Sequence, residues 1–265
     1  MFVWHWVQQH RLLSVLVLAF VILSTAGGTA WALVFRTVSS PVSLREALRI
    51  YRREQTERVV ATLRNRLPAP GVYTYRTSGD EGLDIMGVRR SFPPSTAMIV
   101  ADGRCATVSW VPITEHTEVM TICAGASGAL TVPSFVADES IAGTSTTSKV
   151  SCPATAYVLP PAARPGLHWG VTCSLASPAE KVVLSGELLG PDTVTVGGRA
   201  IEAEHTRLVL SYGGSALHGT NPTDLWIVAG SGLIVRQRES VVMTQGGVRY
   251  DEAMDATLIS LDPAR

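Results

Sequence analysis

CATVSWVPITEHTEVMTIC, residues 105–123, is the stretch on which the fold turns. Cys105 and Cys123 bracket it, and their numbers centre on Thr114, inside the turn-prone segment 112–116. Folded back there as an antiparallel hairpin, it sets Ala106 opposite Ile122, Val108 opposite Met120 and Trp110 opposite Glu118. One face is then largely apolar, as expected of strands with one side on a core. Directly opposed residues of antiparallel strands lie ~4.5–5.5 Å apart at Cα, inside the window of a disulfide. The register therefore predicts a Cys105–Cys123 bond.

The remaining two cysteines submit to the same arithmetic. Cys152 and Cys173 centre between Ala162 and Ala163, within the proline- and glycine-rich run 160–166. A hairpin about that point sets Ala154 opposite Val171, Ala156 opposite Trp169 and Val158 opposite Leu167, and predicts a Cys152–Cys173 bond. A zinc site is the sharper alternative but lacks any C-x₂₋₄-C spacing, and unpaired buried thiols are the plain one.

Around these hairpins the chain alternates and turns from Gly71 to Pro263. Tyr73, Tyr75 and Thr77 begin a strand that is expected to break at Ser78-Gly79-Asp80-Glu81-Gly82. Residues 97–101 and 106–111 flank Asp102-Gly103, a signal for a two-residue hairpin, and Val196 and Arg199 flank Gly197-Gly198 in the same way. A further turn is expected at Ala229-Gly230-Ser231-Gly232, and Gln245-Gly246-Gly247-Val248 reads as one more turn or a bulge. The fold class is mainly β: about 10 to 13 short strands in an antiparallel meander forming a curved sheet or open barrel. One all-β domain over 71–263 accommodates them.

Before this domain lie two helices of different kinds. Residues 12–35, LLSVLVLAFVILSTAGGTAWALVF, carry no charge and as a helix would extend ~36 Å, enough to span a bilayer with some tilt. This reads as a transmembrane signal anchor after a cytoplasmic tail at 1–11. Cleavage of a signal peptide, leaving a secreted protein, is the alternative, but the apolar run continues past Gly28-Thr29-Ala30, where a mature terminus should turn polar. Residues 42–67 carry an apolar stripe (Leu44, Leu48, Tyr51, Val59, Leu63, Leu67), which predicts an amphipathic helix. Ser43 and Glu46 suit a capping box, or Ser40 caps with Pro41 in the first turn. Arginines 36, 45, 49, 52 and 53 favour a cytoplasmic C-terminal part. Four cysteines after the span and none before it favour an oxidising, extracytoplasmic one. The cysteines carry more weight, because the charge rule weakens ahead of a long domain.

Composition excludes several classes. The 22 basic and 22 acidic side chains balance, so no charge excess points to nucleic acid. No G-x-S-x-G elbow, H-E-x-x-H pair, P-loop or dinucleotide fingerprint occurs, so the sequence predicts no catalytic residue, no metal and no cofactor. His116 and Glu118 share a strand face, yet their place near a turn reads as a solvated loop. Glu204 and His205 point to opposite faces, and His168 and His218 read as surface residues. Asp251, Glu252 and Asp255 read as a charged strand edge that blocks aggregation.

Asp224-Leu225-Trp226, a turn, and then Gly232-Leu233-Ile234-Val235-Arg236 form a pattern similar to the curved sheets of the LolA and LppX-like lipoprotein-carrier superfamily. The layout of Gly71-Val72-Tyr73-Thr74-Tyr75-Arg76, of Gly103-x-Cys105-x₄-Trp110 and of the D-x-W stretch resembles membrane-anchored or secreted proteins of high-GC Gram-positive bacteria, which brings no activity with it. The carrier resemblance implies an apolar cleft between helix and sheet, holding a lipid or other amphiphile, with Trp110, Trp169 and Trp226 as its candidate lining. No lipobox cysteine follows the apolar run, so residues 12–35 would hold the protein to the bilayer instead. The alternative is an envelope interaction or scaffold module with a packed core and no small-molecule ligand. A cavity of roughly several hundred Å³ favours the first, a filled core the second.

Overall fold

The computed structural model describes residues 40–56, 67–84, 87–101, 105–141, 144–161, 164–175, 181–215 and 217–265. The expected bilayer span at 12–35 and its tail lie outside them. Among the described residues no helix is long and apolar enough to cross a membrane. Among the described residues one α-helix, α1 (Leu44–Thr56), precedes fourteen strands. The first six are β1 (Gly71–Leu83), β2 (Val88–Ser91), β3 (Ser95–Ala101), β4 (Ala106–Ile113), β5 (His116–Ala124) and β6 (Leu130–Ile141). Then come β7 (Thr144–Ser151), β8 (Tyr157–Leu159), β9 (Leu167–Leu175), β10 (Lys181–Val196) and β11 (Arg199–Gly213). The last are β12 (Leu217–Val228), β13 (Leu233–Gln245) and β14 (Val248–Leu258).

The meander is as expected mainly β and antiparallel, and its curvature goes to completion. β1 pairs with β3 and β2 on one side and with β14 on the other, from Tyr75 opposite Leu258 to Leu83 opposite Tyr250. The first and last strands thus join the sheet into a ring, which leaves the expected charged edge at β14 with no edge to protect. Nor does β1 break at 78–82. Gly79 has φ +133°, and a Cβ there would stand 1.9 Å from the Ala253 carbonyl oxygen, so glycine lets the β1 and β14 backbones approach where a side chain would part them. The interruption falls instead between β2 and β3, at Pro93-Pro94, which lack N–H groups. Phe92 N–H donates to the Gly79 carbonyl (3.0 Å) and Thr77 N–H to the Pro94 carbonyl (3.0 Å), holding the break against β1.

The 105–123 hairpin forms in the expected register. Ala106, Val108 and Trp110 oppose Ile122, Met120 and Glu118, and Cys105 is bonded to Cys123. Cys152 is bonded to Cys173, but its surroundings differ from expectation. Val150 opposes Leu175 and Ser151 opposes Ser174, so the bond continues the β7–β9 register by one step. Pro153 then ends the strand, and the following residues turn away so that β8 pairs with β6. Val171, Trp169 and Leu167 consequently oppose Leu184, Gly186 and Leu188 of β10 rather than 154–158. Two residue pairs are all that join β7 to β9, and the disulfide reinforces that thin seam.

The two-residue turns at Gly197-Gly198 and Gly246-Gly247 form with both glycines at positive φ, and Val228 opposes Leu233 across the expected four-residue turn. Around Asp102-Gly103 the register is different: Ala101 opposes Thr107, too wide a connection for a two-residue turn.

Helix α1 lies on the outer face of the ring. Its Ala47, Leu48 and Tyr51 pack on Val72, Ala97, Ile99 and Val111, the outward-facing residues of β1, β3 and β4. Ser43 Oγ accepts from the Glu46 N–H at 3.2 Å, while the Glu46 carboxylate pairs with Arg49 instead of closing a capping box. Pro41 bridges to Ile113 in the sheet, so it does not open the helix. Leu44, expected in the apolar stripe, is exposed, and Val59 and Leu63 lie outside the described residues.

The strand closure should be sensitive to one methyl group. Gly79→Ala is expected to cost about 2 kcal/mol or more in urea unfolding, whereas Gly230→Ala, where a Cβ meets nothing within 4 Å, should cost little.

Candidate functional site

Strand alternation sends one set of side chains into the ring, and that set is apolar at one end and charged at the middle. Tyr75, Val108, Leu184, Leu208, Leu225 and Ile234 belong to a large buried cluster, and Ile141, Val241 and Tyr250 to a smaller one. Between them lies a belt of ionisable groups. β1 supplies Glu81, β2 Arg90, β5 His116 and Glu118, β6 Glu139, β13 Glu239, and β14 Tyr250 and Glu252.

At the heart of the belt, Glu81, Arg90 and His116 are all buried. The Arg90 Nε–H donates to Glu81 Oε1, and His116 Nδ1 lies 2.7 Å from Glu81 Oε2. Burial opposes the imidazolium, but the carboxylates of Glu118 and Glu81 outweigh it and raise His116 well above its ordinary value. Burial likewise pushes Glu81 up, but the hydrogen bond and charge of His116, with Arg90 and Tyr250, hold it below the usual carboxylate range.

Glu81 and Glu252 are opposed directly across β1 and β14, a placement two carboxylates cannot share comfortably. The Tyr250 hydroxyl sits 2.7 Å from Glu81 Oε2 and 2.7 Å from Glu252 Oε2. A phenol has one proton, so one of these contacts needs a proton on a carboxyl. Glu252 holds it: burial first, offset by His116 but reinforced by Glu239, Glu118 and Glu81, raises it well above normal. The Glu252 carboxyl thus donates to Tyr250, and Tyr250 donates to the Glu81 carboxylate.

Glu81, His116 and Glu252 bring donor atoms within 4.8 Å of one another, as metal ligands do. Two ligands of one zinc ion, at bonds of ~2.0–2.1 Å, would sit roughly 3.3 Å apart. The 2.7 Å between Glu81 and His116 is a hydrogen bond, and an imidazolium has no lone pair to offer. Glu81 and His116 are a hydrogen-bonded ion pair, to which Glu252 is joined through Tyr250.

Beside the belt the ring is hollow. A cavity of about 530 Å³ is bounded by Glu118, Glu139, Tyr212, Asn221, Tyr250 and apolar residues including Leu83, Ile141, Val241 and Met243. A second, of about 80 Å³, reaches toward Met98, Trp110, Leu184 and Leu225 and includes Glu239. Glu118, Ala137, Ser148, Tyr212 and Asn221 line both, so the two adjoin and together make up the interior chamber. Ser145, Thr146 and Gln245 line it and are exposed, so it meets solvent on that side. Burial raises Glu139 to about 7, His116 lowering it and Glu81 and Glu118 raising it further. Burial and Glu118 raise Glu239 to about 8, against hydrogen bonds from Asn221 and Gln237.

This placement corrects several sequence expectations. His116 is in no solvated loop: it is fully buried and opposes Glu139 between β5 and β6. Glu252 faces the interior, while Asp251 and Asp255 face out and pair with Arg89 and Arg236 at 2.6 Å. The space for a ligand lies within the ring, not between helix and sheet, and α1 lines none of it. Of the three candidate tryptophans, Trp110 lines the chamber. Trp169 instead donates to the Tyr157 carbonyl at 3.1 Å and covers Gly186, where a Cβ would stand 2.2 Å from its indole. Trp226 faces out, stacked on His205 at 4.1 Å with the Arg236 guanidinium 4.9 Å from its ring, and donates to Asp192 at 2.8 Å. As expected, His168 and His218 are exposed. Sequence reasoning missed Glu81, Arg90, Glu139 and Glu239. Parity alone could have found Glu239, since it shares a strand face with Val235, Val241 and Met243.

Fold and site together define a closed antiparallel β-barrel with an internal chamber and a buried acidic belt. Its two disulfides fit an oxidising, extracytoplasmic compartment. No protein-family model and no curated protein matches the chain. Among solved structures it is similar to the hypothetical lipoprotein YmcC from Escherichia coli, at 11% identity over 80% of this chain and 96% of that one, with a TM-score of 0.35. So low a score assigns neither family nor function.

Two measurements test the belt. Glu81→Gln should destabilise by about 3 kcal/mol or more, because Arg90 and His116 lose their buried counter-charge, whereas Glu252→Gln, an amide in place of a neutral acid, should cost less than about 1 kcal/mol at pH 7. The second concerns pH. Glu139 and Glu239 titrate near 7 and 8 in the folded chain, above their unfolded range, so the stability they confer is complete below about pH 4.5 and is lost as the pH rises through 7 and 8. The thermal midpoint should fall between about pH 4.5 and 8, and fall less in Glu239→Gln.

Proposed function

We propose that this is an extracytoplasmic binding protein that holds a small amphiphilic molecule inside its barrel, without catalysis. The carrying observation is the cavity of about 530 Å³, within the ~300–1,000 Å³ of ligand pockets, lined by both apolar and polar side chains. A packed scaffold module would have no use for such a hollow, which leaves contacts unmade and costs stability. Among the described residues the interior imidazole, His116, is fixed by Glu81, and each described cysteine is in a disulfide. That supports binding rather than nucleophilic chemistry. The run at 12–35 would tether the domain to the bilayer, from which an amphiphile is supplied.

The test uses the full-length chain in lipid nanodiscs and a diazirine-bearing dodecyl alcohol, photolysed and mapped by peptide mass spectrometry. Labels are expected on β6, β7, β12 and β13. Ala137→Trp or Ser148→Leu, which fill the chamber, should cut labelling at least tenfold with the thermal midpoint retained. Labelling confined to outer-face peptides, or unchanged in both variants, would favour the scaffold reading.

A further inference from the structure

The balance of charge inside the barrel says more about its occupant than its volume does. Five carboxyls face inward, on Glu81, Glu118, Glu139, Glu239 and Glu252, against two cations, Arg90 and His116. Arg90 and His116 are both engaged with Glu81. The buried His116 Nε2 has no hydrogen-bond partner, and its nearest carboxylate oxygen, on Glu118, is 3.6 Å away, too far for a hydrogen bond. Glu118 is thus held by charge alone while it lines the chamber. Glu239 is oriented by amide donors from Asn221 and from Gln237 (3.1 Å), so its carboxyl is positioned without a cation. The Glu139 carboxyl lines the same space with no hydrogen bond among the described residues.

Three acceptor groups therefore line the two adjoining cavities, and the cation beside them, His116, lies 3.6 Å from Glu118 without a hydrogen bond to it. Resting on the binding role proposed above, we infer that the chamber is selective for an amphiphile with a cationic head, a primary ammonium or its like, seated among Glu118, Glu139 and Glu239 with its apolar part against Leu83, Ile141 and Met243. An ammonium supplies three N–H donors to these carboxyls, whereas an anionic head would bury like charges together. Other groups around the belt reinforce the preference: Tyr212 and Tyr250 are neutral phenols, and Glu252 is occupied with Tyr250.

In the empty chamber protons take the place of the cation. Glu139 and Glu239, raised to about 7 and about 8, are largely protonated at pH 6 and largely ionised at pH 8.5, while an alkylamine stays charged throughout. Binding should therefore release protons and strengthen as the pH rises. Glu81 is held below the usual carboxylate range and His116 well above the usual imidazole one, so the change falls on the chamber carboxyls.

The experiment uses three diazirine probes of one chain length, dodecylamine, dodecanol and dodecanoic acid, on the full-length chain in nanodiscs of neutral lipid. Chamber labelling by the amine is expected to exceed that by the acid at least tenfold, and to rise at least fivefold from pH 6 to 8.5. Glu239→Gln should cut amine labelling about tenfold while dodecanol labelling is unchanged. Equal labelling by the three probes, a flat pH profile, or displacement of the amine by one equivalent of Mn²⁺ would overturn the inference and leave the binding role standing. Absence of chamber labelling by any probe would overturn the binding role itself.

Discussion

The pairing of β1 with β14 is the constraint on which everything else depends. It runs over nine residue pairs between chain segments some 175 positions apart, from Tyr75–Leu258 to Leu83–Tyr250. Once made, it converts a meander with two open edges into a ring and gives the interior a boundary. Glycine at 79 permits the close approach, and the β2–β3 segment, broken at its two prolines, secures the other side of β1. The thin seam is elsewhere, at β7–β9, and there a covalent bond, Cys152–Cys173, supplements two residue pairs. The Cys105–Cys123 bond, by contrast, reinforces a hairpin that is already paired along most of its length.

Closure also explains how charged side chains come to be buried. Inward positions of every strand must be filled, and here several are filled with acids. One charge is balanced by ion pairing, at Glu81 with Arg90 and His116. Another is removed by protonation, at Glu252. The rest are left facing a hollow. Ion pairing of the first kind is a poor source of net stability but fixes geometry, since either partner alone would be costly to bury. Protonation of the second kind makes Tyr250 a relay between two carboxyls that share one cross-strand position. The third group comprises Glu118, which faces His116 at 3.6 Å, Glu239, which accepts from Asn221 and Gln237, and Glu139, which has no hydrogen bond among the described residues.

The outer face shows the same residue types put to a different use. Asp192, His205, Asp224, Arg236 and Asp255 surround Trp226 with hydrogen bonds, stacking and cation–π contact, a polar coat over a large ring. The D-x-W pattern that looked like a ligand wall is thus a device for finishing the outside of the barrel. Inside, at the same strand level, Leu225 meets the chamber.

Local spacing determined the local features of this protein. Alternation, glycine pairs and the cysteine register identified the β class, the turns at 197–198 and 246–247 and both disulfides, although only Cys105–Cys123 lies in the hairpin whose register predicted it. The same reasoning read His116, Glu118 and Glu252 as solvated, since charge near a turn or a chain end is usually exposed. Only the tertiary structure decided otherwise. Whether an inward-facing residue meets core, water or a cavity depends on which strand closes the ring, and that pairing joins residues too distant in sequence for any local period to encode. Glu81 and Glu252 are cross-strand neighbours for this reason alone, and the belt, its protons and its chamber follow from it.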